Sequence, residues 1–123
     1  MLLTSPAQPQ QEHGVRIPNC PFTVTDWSTV PVTEHPGTTG KALWRTLEIG
    51  DVRIRLVEYT PGYLADHWCE RGHILYVLEG ELTTEVAGSD RVTLRAGMSY
   101  EVSDGNSSHR SSTAGGAKLF IVD

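Results

Sequence analysis

The chain is poor in cysteine, in basic charge and in apolar material, and each shortage excludes something. Its 123 residues include only two cysteines, Cys20 and Cys69. That is too few for the disulfide framework of a small secreted domain. Ten Lys and Arg stand against fifteen Asp and Glu, for a net charge of −5. This balance argues against nonspecific nucleic-acid binding, which needs a basic patch. Apolar residues make up 38% of the chain, and no apolar run approaches the roughly 18 residues of a membrane span. The opening Met1-Leu2-Leu3-Thr4-Ser5-Pro6 lacks the basic flank and apolar stretch of a signal peptide. The expectation is a cytoplasmic protein, and the length suits one domain with a single core.

What the chain does have is turn-forming residues, twelve Gly and seven Pro. Residues 1–21 are polar and dotted with Pro6, Pro9, Pro18 and Pro21, which reads as a flexible or extended arm. From Phe22 onward, and so over 22–123, short β-type runs alternate with breaks such as Pro36-Gly37, Gly50-Asp51, Pro61-Gly62 and Gly115-Gly116. Turn signals about 8–12 residues apart mark a sandwich or barrel. The runs are 42–49, 52–60, 73–78, 81–87, 91–94, 99–102 and 118–122, and none shows helical spacing. The fold class is all-β.

One hairpin can be registered from the sequence. A two-residue turn at Gly50-Asp51 sets Ile49 opposite Val52 and Leu47 opposite Ile54 on one face. The other face pairs Glu48 with Arg53, Thr46 with Arg55 and Trp44 with Val57. Two faces of different chemistry suit a barrel with a partly polar interior. If the second face lines the barrel, Trp44, Arg55 and Tyr59 form an aromatic-walled pocket with a cation for a carboxylate. If it faces outward they are surface or dimer contacts.

The stretch Asp66-His67-Trp68-Cys69-Glu70-Arg71-Gly72-His73 concentrates potential metal ligands. Residues two apart in a strand share a face, so His67 and Cys69 would project together. Gly72 permits a bend that could return His73 beside them, and His109 would arrive from a distant strand. Neutral imidazole and thiolate are standard ligands for borderline metals. Spacing alone leaves a second reading open, half-buried strand residues with ordinary hydrogen bonds. His13 and His35 read as solvated, in the arm and beside a Pro-Gly turn. Trp68 and Tyr76 read as core or interface residues.

Pro61-Gly62, then His67, then the run from Tyr76 to Glu81, resembles the first motif of the cupin family. That motif has a Pro-Gly turn, a His-x-His pair, an acidic ligand and a glycine seven residues beyond it; His73 and Gly80 keep the last interval. Arg95-Ala96-Gly97 leading to His109 resembles the second motif. Together these likenesses span about residues 42–122. Asp66-His67-Trp68-Cys69 is also similar to the Asp-His-Cys-Trp label of a group of small single-domain cupin-like proteins, with the last two residues exchanged.

The resemblance implies a cupin-type double-stranded β-helix, or jelly-roll barrel, carrying the extended N-terminal arm. It implies a divalent metal at His67, Cys69, His73 and His109, and a homodimer. Cys69 stands where cupins place their second histidine, and His73 where they place the acidic ligand. A thiolate in place of a carboxylate shifts preference from manganese towards zinc, with nickel, copper or iron as other candidates. Four protein ligands would close a tetrahedral site, whereas three histidines with Cys69 as a bystander would leave a position open. The implied function is metal-dependent chemistry on a small molecule, of oxygenase, isomerase or lyase type. The alternatives are a non-enzymatic ligand-binding or sensing barrel with a structural metal, and a metal-free histidine cluster that recognises ligand directly.

Overall fold

Gly50 and Asp51 close a hairpin whose strands pair as the sequence predicts, from Ile49 opposite Val52 to Leu43 opposite Glu58. The computed structural model describes residues 17–123. Most of the expected arm over 1–21, His13 included, lies outside the described residues. Within the described part, residues 17–26 contain no strand or helix, and a 3₁₀ turn, Trp27–Thr29, follows. Asp26 caps that turn by accepting from the Ser28 amide at 3.1 Å.

Eight strands follow: β1 (Val32–Pro36), β2 (Lys41–Ile49), β3 (Val52–Tyr59), β4 (His73–Val86), β5 (Val92–Arg95), β6 (Ser99–Val102), β7 (His109–Ser112) and β8 (Ala117–Val122). Every strand pairing is antiparallel. β1, β2, β3, β8 and the first half of β4 run side by side, with β6 on the far side of β4. The second half of β4 lies between β5 and β7. β4 therefore joins two sheets, and the whole is a jelly-roll barrel.

The expectation of separate strands at 73–78 and 81–87 is corrected by β4, which runs unbroken through Gly80. Gly80 adopts a φ of 81° beside a register shift between Val77 and Glu79. A Cβ there would come within 2.2 Å of the Gly116 carbonyl oxygen. The glycine thus bends the strand from one sheet to the other, with no turn. Two short strands escape the sequence reading. β1 is an edge strand ending in proline, and β7 is the polar His-Arg-Ser-Ser.

Inward-facing residues form rungs across the barrel. Val57, Leu119 and Val77 pair side by side on β3, β8 and β4, each no more than 2% exposed. Burying each such side chain contributes about 1.5–3 kcal/mol. The next rung is Arg55, Ile121, Leu75 and Tyr100, and here the first charged and phenolic groups enter. Beyond it Arg53 and Asp123 exchange backbone hydrogen bonds of 2.9 and 2.8 Å, and His73 begins β4. The barrel is therefore apolar at one end and grades into a polar site at the other.

Candidate metal centre

Three of the four expected ligands converge at the polar end. Potential ligand atoms of Cys69, His73 and His109 all lie within 4.8 Å of one another. Each arrives by a different local device. His109 opens β7, and its backbone forms an isolated bridge with Cys69. His73 opens β4, immediately after Gly72. The Gly72 amide donates to Asp104 Oδ1 at 2.6 Å, and a Cβ on residue 72 would stand 2.5 Å from the Asp104 amide nitrogen. Only glycine lets the chain pass that close to the turn before β7.

His109 is 4% exposed. Its Nδ1 donates to the Ser107 carbonyl at 2.8 Å. A carbonyl only accepts, so the proton is on Nδ1, and the neutral ring carries its lone pair on Nε2. That Nε2 is buried and has no hydrogen-bond partner. Burial lowers the His109 pKa and the charge of His73 adds to this, while the Ser107 bond opposes both. The ring is held neutral, the form that binds metal.

His73 bonds through Nε2 to the Tyr100 hydroxyl at 2.8 Å, and its Nδ1 is buried without a hydrogen-bond partner. The Asp123 carboxylate is 3.9 Å from that Nδ1, beyond hydrogen-bond range. Tyr100 lies edge-on to His109, with ring centroids 5.8 Å apart. Burial pushes the Tyr100 pKa up, so it stays a neutral phenol. Cys69 Sγ accepts from the Arg71 amide at 3.3 Å.

His67 does not join this group. The chain bends at Asp66 and His67, so the strand parity that would align His67 with Cys69 is lost. The His67 side chain is 72% exposed, and its Nδ1 hydrogen-bonds the Asp66 carboxylate at 2.7 Å.

Trp44, Arg55 and Tyr59 lie on the inward face, in the wall of a cavity of about 400 Å³ that the three candidate ligands also line. Arg55 and Tyr59 are 7% and 9% exposed. The Arg55 guanidinium lies 4.3 Å over the Trp44 ring, and His35 stacks on the same ring at 3.7 Å. His35 is thus a strand residue of β1, where the sequence suggested a solvated turn. Trp68 and Tyr76 are 43% and 42% exposed and lie outside the core, Trp68 beneath the Arg110 guanidinium.

Asp123 is the site residue that sequence reasoning missed. Its carboxylate is 1% exposed and accepts both Nε and Nη2 of Arg53 and Nη2 of Arg55, each at 2.9 Å. Arg71 approaches it at 3.4 Å. Burial alone would raise its pKa, but the neighbouring His73, Arg53 and Arg55 hold it well below the usual carboxylate range. The available signal was Arg53 and Arg55 on an inward face, which called for a buried anion.

The donor set fits a divalent transition metal. Two imidazoles and one thiol are borderline-to-soft ligands, and unpartnered buried nitrogens of both rings stand among them.

No protein-family model matches the chain, and no curated protein matches it in sequence. Solved structures do match. A predicted oxalate decarboxylase from Thermotoga maritima superposes with a TM-score of 0.70 at 18% identity, over 81% of this chain and 96% of that one. HppE in its Fe(II) form with an alternative substrate gives 0.69 at 17% identity, over 83% of this chain and 60% of that one. A cupin-2 domain protein from Shewanella frigidimarina gives 0.54 at 24% identity, over 65% and 78%. These likenesses do not extend to the Asp-His-Cys-Trp subgroup. Among the described residues no helix is long and apolar enough to cross a membrane. The chain shares the fold of these structures, a cupin-2 domain protein among them.

Proposed function

We propose that the chain binds a divalent metal, zinc by preference, through Cys69, His73 and His109, and acts as an enzyme on a small molecule in the barrel cavity. The observation that carries this reading is His109 Nε2, a lone pair buried without a partner beside a thiol and a second imidazole. Leaving such a group unsatisfied costs about 1–3 kcal/mol, which a metal bond would offset. A thiolate among the ligands favours zinc over manganese. When bound, the ion would supply Lewis acidity to a carbonyl or carboxylate. The protein's part is to hold His109 in one tautomer, to keep Tyr100 neutral beside His73, and to wall the site off from bulk water.

The rival reading is a sensing or carrier barrel whose metal is structural. The two differ in openness, because three protein ligands leave a place for substrate and four do not. Elemental analysis of the purified full chain, alongside His109→Gln, tests the metal. One equivalent is expected in the wild type and less than a tenth of that in the variant. Wild-type protein without metal would sink the proposal. Metal with no exchangeable water would favour the rival.

A homodimer also belongs to this proposal. Ile74, Tyr76 and Leu78 are exposed on the outer face of β4, and Phe22 and Val24 are 97% and 85% exposed. A second copy of the chain would cover this apolar surface. Sedimentation that stays monomeric at all concentrations would refute it.

A further inference from the structure

An acidic chain has lined its cavity with arginine. The net charge is −5, yet Arg53, Arg55, Arg71 and Arg110 stand in the cavity wall with only two carboxylates, Glu70 and Asp123. Arg110 is paired with Glu85, outside the lining, at 3.0 Å. Three guanidinium groups then face two carboxylates, an excess of one positive charge.

Arg55 is the most enclosed of them. It gives Asp123 Oδ2 one hydrogen bond of 2.9 Å, and its Nε–H is buried without an acceptor. Asp123 and the Trp44 ring fix the guanidinium plane from two directions, so little conformational freedom remains to be lost on binding. Burial works against its charge, and an anion entering the cavity would relieve that penalty. The remaining walls are flat: Tyr59 and Tyr63 stack with centroids 4.2 Å apart, and Tyr100 completes them.

We propose that the cavity binds a small monocarboxylate with a flat, unsaturated body, its carboxylate held by Arg55 and its body lying against Tyr59 and Tyr100. This deepens the function proposed above and rests on it only in taking the cavity as the working site. The planar fork of Arg55, with its Nε–H left without an acceptor, suits a carboxylate. A cavity of about 400 Å³ lies within the range of small-molecule sites.

The test is titration calorimetry of the purified full chain with benzoate, benzamide and phenyl phosphate, with metal content measured on the same samples. Benzoate should bind at least tenfold more tightly than benzamide, and Arg55→Lys, which keeps the charge but loses the planar fork, should lose most of that preference. Equal binding of acid and amide, no saturable benzoate binding, or tighter binding of phenyl phosphate would overturn the proposal. So would an undiminished preference in a folded Arg55→Lys. Should that variant not fold, the wild-type comparison of acid with amide decides alone. Metal-free protein that still prefers benzoate would sink the metal reading and support this one; metal-loaded protein without the preference would do the reverse.

Discussion

Cys69 and His109 exchange both backbone hydrogen bonds, the Cys69 amide donating at 2.7 Å and the His109 amide at 2.9 Å. A closely hydrogen-bonded antiparallel pair puts both side chains on one face. The thiol and the imidazole are therefore brought together by backbone geometry, before any metal is involved. Because the bridge is main-chain, Cys69→Ser should keep His109 in place and remove only the soft ligand. Zinc should raise the melting temperature of the wild type by several degrees, and the serine variant should show less than half that rise. Equal shifts in the two proteins would make Cys69 a bystander.

His67 supplies the contrasting case. It is exposed and tied to Asp66, so His67→Ala should leave zinc stoichiometry unchanged and alter stability by no more than about 0.5 kcal/mol. Loss of the metal in that variant, read by elemental analysis, would restore a four-ligand site.

The contrast between these two residues shows what the sequence could reveal. The Gly50-Asp51 turn and the alternation around it specify the β2–β3 register completely, since a slip of one residue would invert both faces. The cupin spacing led to Cys69, His73 and His109. His67 depended on assuming an extended strand from 67 to 69, and a local bend defeats that assumption. Asp123 was out of reach for another reason. Its partners Arg53 and Arg55 lie 70 and 68 residues away in the chain, and only closure of β8 against β3 brings them together. His35 joins Trp44 in the same way, through the pairing of an edge strand that ends in proline.

His109 implies a pH dependence for the metal-free protein. Burial depresses its pKa below 6.5 in the folded state, whereas the unfolded chain titrates near that value. Between the two pKa values the unfolded state binds more protons, so the contribution to stability is intact above about pH 6.5 and is lost as the pH falls through the folded pKa. Denaturant melts of chelator-treated protein should show stability declining below pH 6.5, and His109→Gln should flatten the decline. An identical profile in the variant would assign the titration elsewhere.

Asp123 titrates in a lower window and carries the largest expected loss. Its carboxylate is 1% exposed, and it accepts hydrogen bonds from Arg53 and Arg55, whose side chains are 21% and 8% exposed. Removing one partner of a buried ion pair leaves the other charged and poorly solvated, which costs about 3–5 kcal/mol. The partial exposure of Arg53 places Asp123→Asn near the lower end, about 3 kcal/mol. Against burial, His73 and the two arginines hold the folded pKa well below the ordinary 3.8, so the carboxylate's contribution is complete above that value and is lost as the pH falls below it. Denaturant unfolding at neutral pH should therefore show the full deficit of Asp123→Asn. The gap between variant and wild type should narrow in acid, as the wild type gives up the same interaction. A gap that stays constant down to the acid transition would mean that the asparagine costs packing rather than charge, and that the arginines do not depend on this carboxylate.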